Sequence, residues 1–335
     1  EESIQMNILV ALPEDVRKTF IPEEVARRIG QMGNVTWNEK GTNYTEEELS
    51  EKLRDMDMCM TGWGIPRFTS RVLKNAGRLK LVAHTAGSVA NLVSDDLYAR
   101  GIRVISANKV FAESVAESVI GYLLAALRDI PYYVNHMKSG GWKSADYWNR
   151  GLLDQTIGLV GFGEIPRYLV SMLKPFRVTI KAFDKYVDAQ TMAEYGVEKV
   201  ELEELFSSCP LISVHLSATE ETYHMIDQPL LKRIQDHAVL VNTSRGRVID
   251  EEAVIEELKQ NRFQAVLDVY EKEPLPEDSP LRKMENALLI PHMAGPTVDR
   301  RKYATLAVLD DMDRFLDNEP LVHEITAERA SRMTK

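Results

Sequence analysis

The sequence predicts an α/β fold built from two doubly wound parallel-sheet units. Three observations lead there. Short β-rich apolar runs alternate with amphipathic stretches in two successive series, a glycine-containing strand-to-helix turn opens the second series, and 335 residues give room for two domains.

The first series comprises NILVAL (7–12), VTW (35–37), DMCMTG (57–62), LKLVAHT (79–85) and IRVIS (102–106). Helices are expected between them near 22–32, 45–54, 67–76 and 94–100. Thr45 followed three residues later by Glu48 is a capping-box arrangement. An apolar stretch over 112–128 then places Ala116, Val119, Ile120, Leu123, Leu124 and Leu127 at helical spacing, and Pro131 should break or restart the helix. The glycine- and aromatic-rich segment 139–151 predicts a loop. The second series is TIGLVG (156–161), VTIKAFD (178–184), LISVHL (211–216), AVLVNTS (238–244), FQAVLDV (263–269) and ALLIPH (287–292). A last helix over about 297–317 carries Asp310, Asp311 and Asp313 within an apolar-periodic pattern.

Charge and cysteine content narrow the function classes. With 41 Lys and Arg against 51 Asp and Glu the formal net charge is −10, a poor electrostatic match for nucleic acid or an anionic membrane. No uninterrupted apolar run approaches the roughly 18 residues that span a bilayer. Cys59 and Cys209 lie 150 residues apart, which excludes a zinc ribbon or a disulfide scaffold and fits small buried side chains in a reducing compartment. Glu1, Glu2, Glu14 and Asp15 surround a short apolar run where a signal peptide would have a basic region, so a cytoplasmic location is expected, with no bound metal.

The second series begins with a nucleotide signal. Gly161 and Gly163 follow an apolar strand and precede a helical pattern, and Asp184 ends the next strand, 21 residues after Gly163. A turn without a Cβ lets a pyrophosphate approach the helix start at Glu164 and Ile165, where free N–H groups and the helix dipole favour anions. Asp184 would accept hydrogen bonds from the adenosine ribose and repel a 2′-phosphate, which favours NAD over NADP; Lys185 beside it weakens that preference. Two residues depart from the fingerprint. Pro166 occupies the third glycine position, and Glu164 places a negative charge near the expected pyrophosphate. A tight strand-to-helix turn with no ligand is the alternative.

The runs VLVNTSRGRVIDEEAVIEEL, VLDVYEKEPLPEDSPL and LLIPHMAG, together with VAES (115–118) and the nucleotide turn, resemble the D-isomer-specific 2-hydroxyacid dehydrogenases in order and spacing. The resemblance covers nearly the whole chain and is weakest over residues 1–80. It implies Arg245, Glu273 and His292 as the catalytic set: Arg245 to hold a 2-oxo acid carboxylate and polarise its carbonyl, His292 to exchange a proton with the carbonyl oxygen, and Glu273 to fix the imidazole tautomer. Taken singly, these would be a surface ion-pair partner, a solvated turn residue and a loop histidine. His84, His136, His215, His224, His237 and His323 are expected to be structural.

By the same resemblance the loop Thr85–Ala86–Gly87–Ser88 offers backbone amides to the substrate carboxylate, with Trp63 lining the pocket or, alternatively, buried as a core aromatic. Thr243, Ser244, Asp268 and Gly295 match cofactor-contacting positions, and Asp268 could instead tune charge near the nicotinamide. The implied architecture is a discontinuous, flavodoxin-like substrate domain (1–108 and 301–335) around a Rossmann-like NAD-binding domain (109–300). Helix 112–128 and the aromatic loop with Trp142, Tyr147 and Trp148 would form a homodimer contact, with an internal core helix as the alternative for 112–128. Hydride transfer between NAD(H) and a small 2-hydroxy or 2-oxo acid is the implied function. A formate-type sister enzyme is disfavoured by the acid at Glu273, and a non-catalytic NAD(H) sensor on the same fold is the alternative.

Overall fold

The computed structural model describes residues 5–335; residues 1–4, with Glu1 and Glu2, lie outside the described residues. Its internal contacts divide the chain into two units, one formed by residues up to Phe111 together with Pro296–Lys335, the other by Ala112–Gly295.

In the first unit the chain runs through β1 (Met6–Val10), α1 (Glu14–Phe20), α2 (Glu23–Met32), β2 (Gly33–Trp37), α3 (Glu46–Lys52), β3 (Met58–Thr61), β4 (Leu81–His84), α4 (Asp95–Ala99) and β5 (Arg103–Ser106). The strands form a parallel sheet in the order β2-β1-β3-β4-β5, with Val10 level with Met60 and Met60 level with Ala83. All four residues of β3 and of β4 are buried, as expected for a parallel sheet covered on both faces. The capping box is formed: Glu48 N donates to Thr45 Oγ1 at 3.2 Å and Thr45 N to Glu48 Oε2 at 2.9 Å.

The helix expected over 67–76 is reduced to a 3₁₀ turn at Val72–Asn75. Long-range hydrogen bonds take its start: Phe68 N donates to Leu92 O, Arg67 Nε to Val93 O and Ser94 Oγ to Phe68 O. A backbone pinned at these points cannot close helical turns.

The second unit is introduced by α5 (Asn108–Leu127) and α6 (Ile130–Lys138), and the division between the units falls at Phe111, in the first turn of α5. At 20 residues α5 is long and apolar enough on average to cross a membrane, although Glu113 and Glu117 interrupt its apolar run. Its Ala116, Val119, Leu123, Ala126 and Leu127 are buried with Ile157, Leu159 and Leu169, the packing of a core helix. Asp129, at φ 50°, ends the run, and Pro131 sits in the first turn of α6, so the proline restarts the helix.

There follow β6 (Thr156–Val160), α7 (Glu164–Leu173), β7 (Thr179–Phe183), α8 (Ala189–Glu194), β8 (Glu198–Lys199), α9 (Leu202–Ser208), β9 (Leu211–Val214), α10 (Gln228–Leu231), β10 (Val239–Asn242), α11 (Glu251–Leu258), β11 (Gln264–Leu267) and β12 (Ala287–Leu289). The parallel sheet order is β12-β11-β10-β9-β6-β7-β8. The chain leaves β6 first toward β7 and later returns to its other side at β9, so the end of β6 is a topological switch point, where open α/β sheets bind ligands.

The chain then re-enters the first unit with α12 (Arg301–Leu316) and α13 (Ala327–Ser331). Ala304, Val308, Leu309 and Met312 of α12 are buried with Ile8, Val10 and Phe20. The three aspartates divide the polar work. Asp310 and Asp313 pair with Arg28 of α2 at 2.7 and 2.8 Å, while buried Asp311 accepts from Val322 N, His323 N and Arg314 Nη1.

Candidate active site

At the end of β6 the backbone turns sharply. Gly161 has φ +98°, and a Cβ there would stand 2.4 Å from His215 O, so only glycine fits. Its N–H donates to Phe183 O at 2.7 Å. A Cβ on Gly163, the N-cap of α7, would meet nothing within 4 Å, so the approach to the helix start is open. Glu164 and Ile165 form the first turn of α7, whose N–H groups have no carbonyl four residues back. Pro166 is buried in that turn, where its missing N–H costs no hydrogen bond. A tight glycine turn with an open helix start fits a dinucleotide pyrophosphate.

Asp184 does more locally than the sequence suggests. Its Oδ2 accepts from Phe162 N at 2.8 Å and its Oδ1 from Tyr186 N and Val187 N at 2.8 and 2.9 Å. Three backbone amides leave about one of a carboxylate's four acceptor positions for a ribose hydroxyl.

Arg245, Glu273 and His292 all lie in the second unit, each beyond the C-terminal end of a strand. Past β10, Asn242 organises the loop: its Oδ1 accepts from Ser244 N and Oγ at 3.0 and 2.8 Å, and its Nδ2 donates to Arg245 O at 3.0 Å. Thr243 Oγ1 is buried with no hydrogen-bond partner among the described residues, an acceptor or donor left for a bound group. Burial lowers the Arg245 guanidinium from its ordinary range, and the nearby Glu273 charge opposes that shift. At Gly246 a Cβ would stand 1.9 Å from the Tyr270 carbonyl carbon, so the Arg245 loop lies against the backbone that leads to Glu273.

His292 Nδ1 lies 2.6 Å from Glu273 Oε2, and Tyr270 N donates to Glu273 Oε1 at 3.1 Å. Both carboxylate oxygens are therefore engaged. The imidazole is half exposed, and its Nε2 has no hydrogen-bond partner among the described residues. His292 itself adopts φ 52°, with its N–H donating to Asp268 O. Asp268, fully buried, also accepts from Met293 N, Ala294 N and the Tyr122 hydroxyl at 2.8, 3.1 and 3.3 Å. It is the anchor of the loop 292–295 that carries His292 and Gly295, a role that sequence reasoning missed along with those of Asn242, Tyr122 and Tyr270. The Tyr270 hydroxyl donates to Leu267 O and Ile290 O, tying the ends of β11 and β12 together.

In the first unit, the segment after β4 leaves the amides of Ala86, Gly87 and Ser88 without hydrogen-bond partners among the described residues. The remaining polar atoms are used: Gly87 O accepts from Ser106 Oγ, and Ser88 Oγ donates to Thr334 O. Trp63 is 43% exposed, which separates it from the buried aromatics. Its ring meets Phe20 and Phe111 edge-on at 5.0 and 6.1 Å, and the Arg301 guanidinium stands 5.2 Å from its centroid.

The other histidines have structural partners. His84 is buried with Thr61 Oγ1 at 2.9 Å from Nδ1, and burial lowers it to about 4. His215 meets Ser213 Oγ at 2.8 Å, His136 meets Trp142 O, His224 meets Glu271, His237 packs on Trp148, and His323 N–H is held by Asp311. Both cysteine thiols are buried and raised by that burial.

A glycine turn at the switch point of a parallel sheet, with an arginine and a carboxylate-held imidazole beyond the ends of other strands of that sheet, fits a nucleotide-dependent oxidoreductase. The model of the D-isomer-specific 2-hydroxyacid dehydrogenase NAD-binding domain matches residues 120–294. A D-3-phosphoglycerate dehydrogenase of Methanocaldococcus jannaschii is 32% identical over 89% of this chain, although the chain spans only 56% of that protein. A glyoxylate reductase of Korarchaeum cryptofilum is 33% identical over 82% of this chain and 84% of its own. The crystal structure of a phosphoglycerate oxidoreductase from Rhizobium etli superposes with a TM-score of 0.81 at 25% identity, covering 97% of this chain and 99% of its own. The chain belongs to the D-isomer-specific 2-hydroxyacid dehydrogenase family, NAD-dependent oxidoreductases that transfer hydride to and from 2-hydroxy acids.

Proposed function

We propose that this protein reduces a small 2-oxo acid of the glyoxylate or hydroxypyruvate class with NADH, using Arg245, Glu273 and His292. The observation that carries this reading is the 2.6 Å contact between Glu273 and His292 Nδ1, with Nε2 left open. The bound nicotinamide supplies the hydride. Arg245, its charge little screened in its buried loop, takes an anionic oxygen of the substrate and polarises the carbonyl. His292 delivers a proton from Nε2 to the carbonyl oxygen as charge develops there, and in the oxidative direction recovers it. Glu273 accepts from Nδ1–H, which fixes the ring orientation and the tautomer. The open amides of Ala86, Gly87 and Ser88 are assigned to a carboxylate on the chemistry of that loop alone. Gly161, Gly163, Glu164, Ile165, Asp184, Thr243, Ser244 and Gly295 are assigned to the cofactor, with Asp268 acting through the loop it anchors.

A homodimer, located in the cytoplasm, completes the reading. Exposed Tyr132, Met137, Trp142, Tyr147 and Trp148 support the former, and the two buried free thiols support the latter. A panel of glyoxylate, hydroxypyruvate, pyruvate and bulkier 2-oxo acids assayed with NADH tests the activity. Glyoxylate or hydroxypyruvate should be reduced fastest. NADH binding with no reduction across the panel would instead establish a non-catalytic sensor.

A further inference from the structure

Three side chains meet beside the adenosine end of the nucleotide turn. Lys185 and Tyr186 directly follow Asp184 at the end of β7, and Glu221 lies in the turn after β9. The Lys185 ammonium is hydrogen-bonded to Glu221 Oε1, and the Tyr186 hydroxyl donates to Glu221 Oε2 at 2.6 Å. The turn that presents Glu221 is stiff: Thr222 Oγ1 donates to Ser217 O at 2.6 Å, and Thr219 N donates to Thr222 Oγ1 at 2.9 Å. In the sheet β6 lies between β7 and β9, so this contact passes over the end of β6, where the nucleotide turn begins. Lys185 and Tyr186 hold the Glu221 carboxyl below the usual carboxylate range, which keeps the pair charged.

We propose that Glu221 sets the preference for NAD over NADP by sequestering Lys185, the cation that would otherwise receive a 2′-phosphate. The proposal rests on the assignment of the adenosine ribose to the end of β7. Asp184 alone is a poor discriminator here, because three backbone amides already draw on its charge. A 2′-phosphate carries close to two negative charges and needs a cation. To reach Lys185 it must displace Glu221, leaving a carboxylate beside the phosphate. A ribose 2′-hydroxyl is neutral and a donor, so it meets neither penalty and can donate to Glu221 itself.

The experiment measures equilibrium dissociation constants of NADH and NADPH by nucleotide fluorescence, for the unsubstituted protein, for Glu221→Gln and for Glu221→Gln with Lys185→Ala. Glutamine keeps the size of the side chain and an acceptor for the Tyr186 hydroxyl while removing the charge. The single variant should bind NADPH about tenfold more tightly, equivalent to 1.4 kcal/mol, with NADH changed by less than about twofold. Adding Lys185→Ala should return the ratio toward that of the unsubstituted protein, and the gain should shrink as ionic strength rises. An unchanged NADPH/NADH ratio in Glu221→Gln overturns the proposal, as does a gain that survives removal of Lys185. Parallel weakening of both nucleotides also overturns it, since that outcome assigns Glu221 a purely structural role. If the unsubstituted protein binds neither nucleotide, the cofactor assignment falls together with the proposal.

Discussion

Glu273 spends one oxygen on the Tyr270 amide and the other on His292 Nδ1. The first bond orients the carboxylate, and the second passes that orientation to the imidazole. Substituting Glu273→Gln keeps an oxygen for Tyr270 but removes the negative charge beside Nδ1. Steady-state kinetics on the substituted protein should therefore show kcat reduced about a hundredfold, within the range for general acid–base catalysis, with NADH affinity unchanged. Full activity would mean that Glu273 has no part in proton transfer. Glu273 and His292 could be singled out from the sequence, with Arg245, because each sits in a short motif that carries the family resemblance, and the fold brings the first two into contact. Asp268 was not legible in its anchoring role, because its partners Met293, Ala294 and Tyr122 lie 25, 26 and 146 residues away. Only folding brings three donors to one carboxylate.

At the level of elements, periodicity located the main strands of both sheets and misjudged features that depend on distant contacts. The 67–76 segment has helical spacing, but hydrogen bonds with Leu92, Val93 and Ser94 pin its first residues outside helical turns. Short helices such as α1, α9 and α10 give too little of a 3.6-residue period to recognise and have no side-chain capping box like the one that marks the equally short α3. The opposite case is α6 with the following loop, which the sequence marked as aromatic-rich and the fold leaves uncovered: Tyr132 is 50%, Trp142 69% and Trp148 59% exposed. Burying these rings against a second copy removes apolar surface from water. Sedimentation velocity should give twice the chain mass of 38.0 kDa. The Trp142→Ser, Trp148→Ser double variant should sediment as a single chain, and an unaltered profile would place the contact elsewhere.

For the whole molecule, the net charge of −10 has to be reconciled with an anionic cofactor and an anionic substrate. Under the proposed function, local devices would do this: the helix start after Gly163 and Arg245 in its buried loop. Burial has a second global effect, on acid stability. His84 is neutral in the fold, lowered to about 4, against 6.5 in the unfolded chain. Below pH 6.5 the unfolded chain takes up a proton that the folded chain refuses, so stability is fully present above pH 6.5 and is lost as pH falls toward 4. The loss from this one residue is about 3 kcal/mol over that interval. Urea midpoints measured between pH 7 and pH 4.5 should fall with pH, and should fall less steeply in His84→Gln. Identical slopes in the two proteins would exclude His84 as a source.

Gly246 has one more implication. Its α-carbon abuts the Tyr270 carbonyl so closely that no side chain fits, and the segments bearing Arg245 and Glu273 touch there backbone to backbone. The spacing of the two segments is thus written in main chain, where rotamer changes cannot tune it. In a saturation library across residues 243–248, position 246 should therefore tolerate no replacement, and variation that alters selectivity must arise at its neighbours.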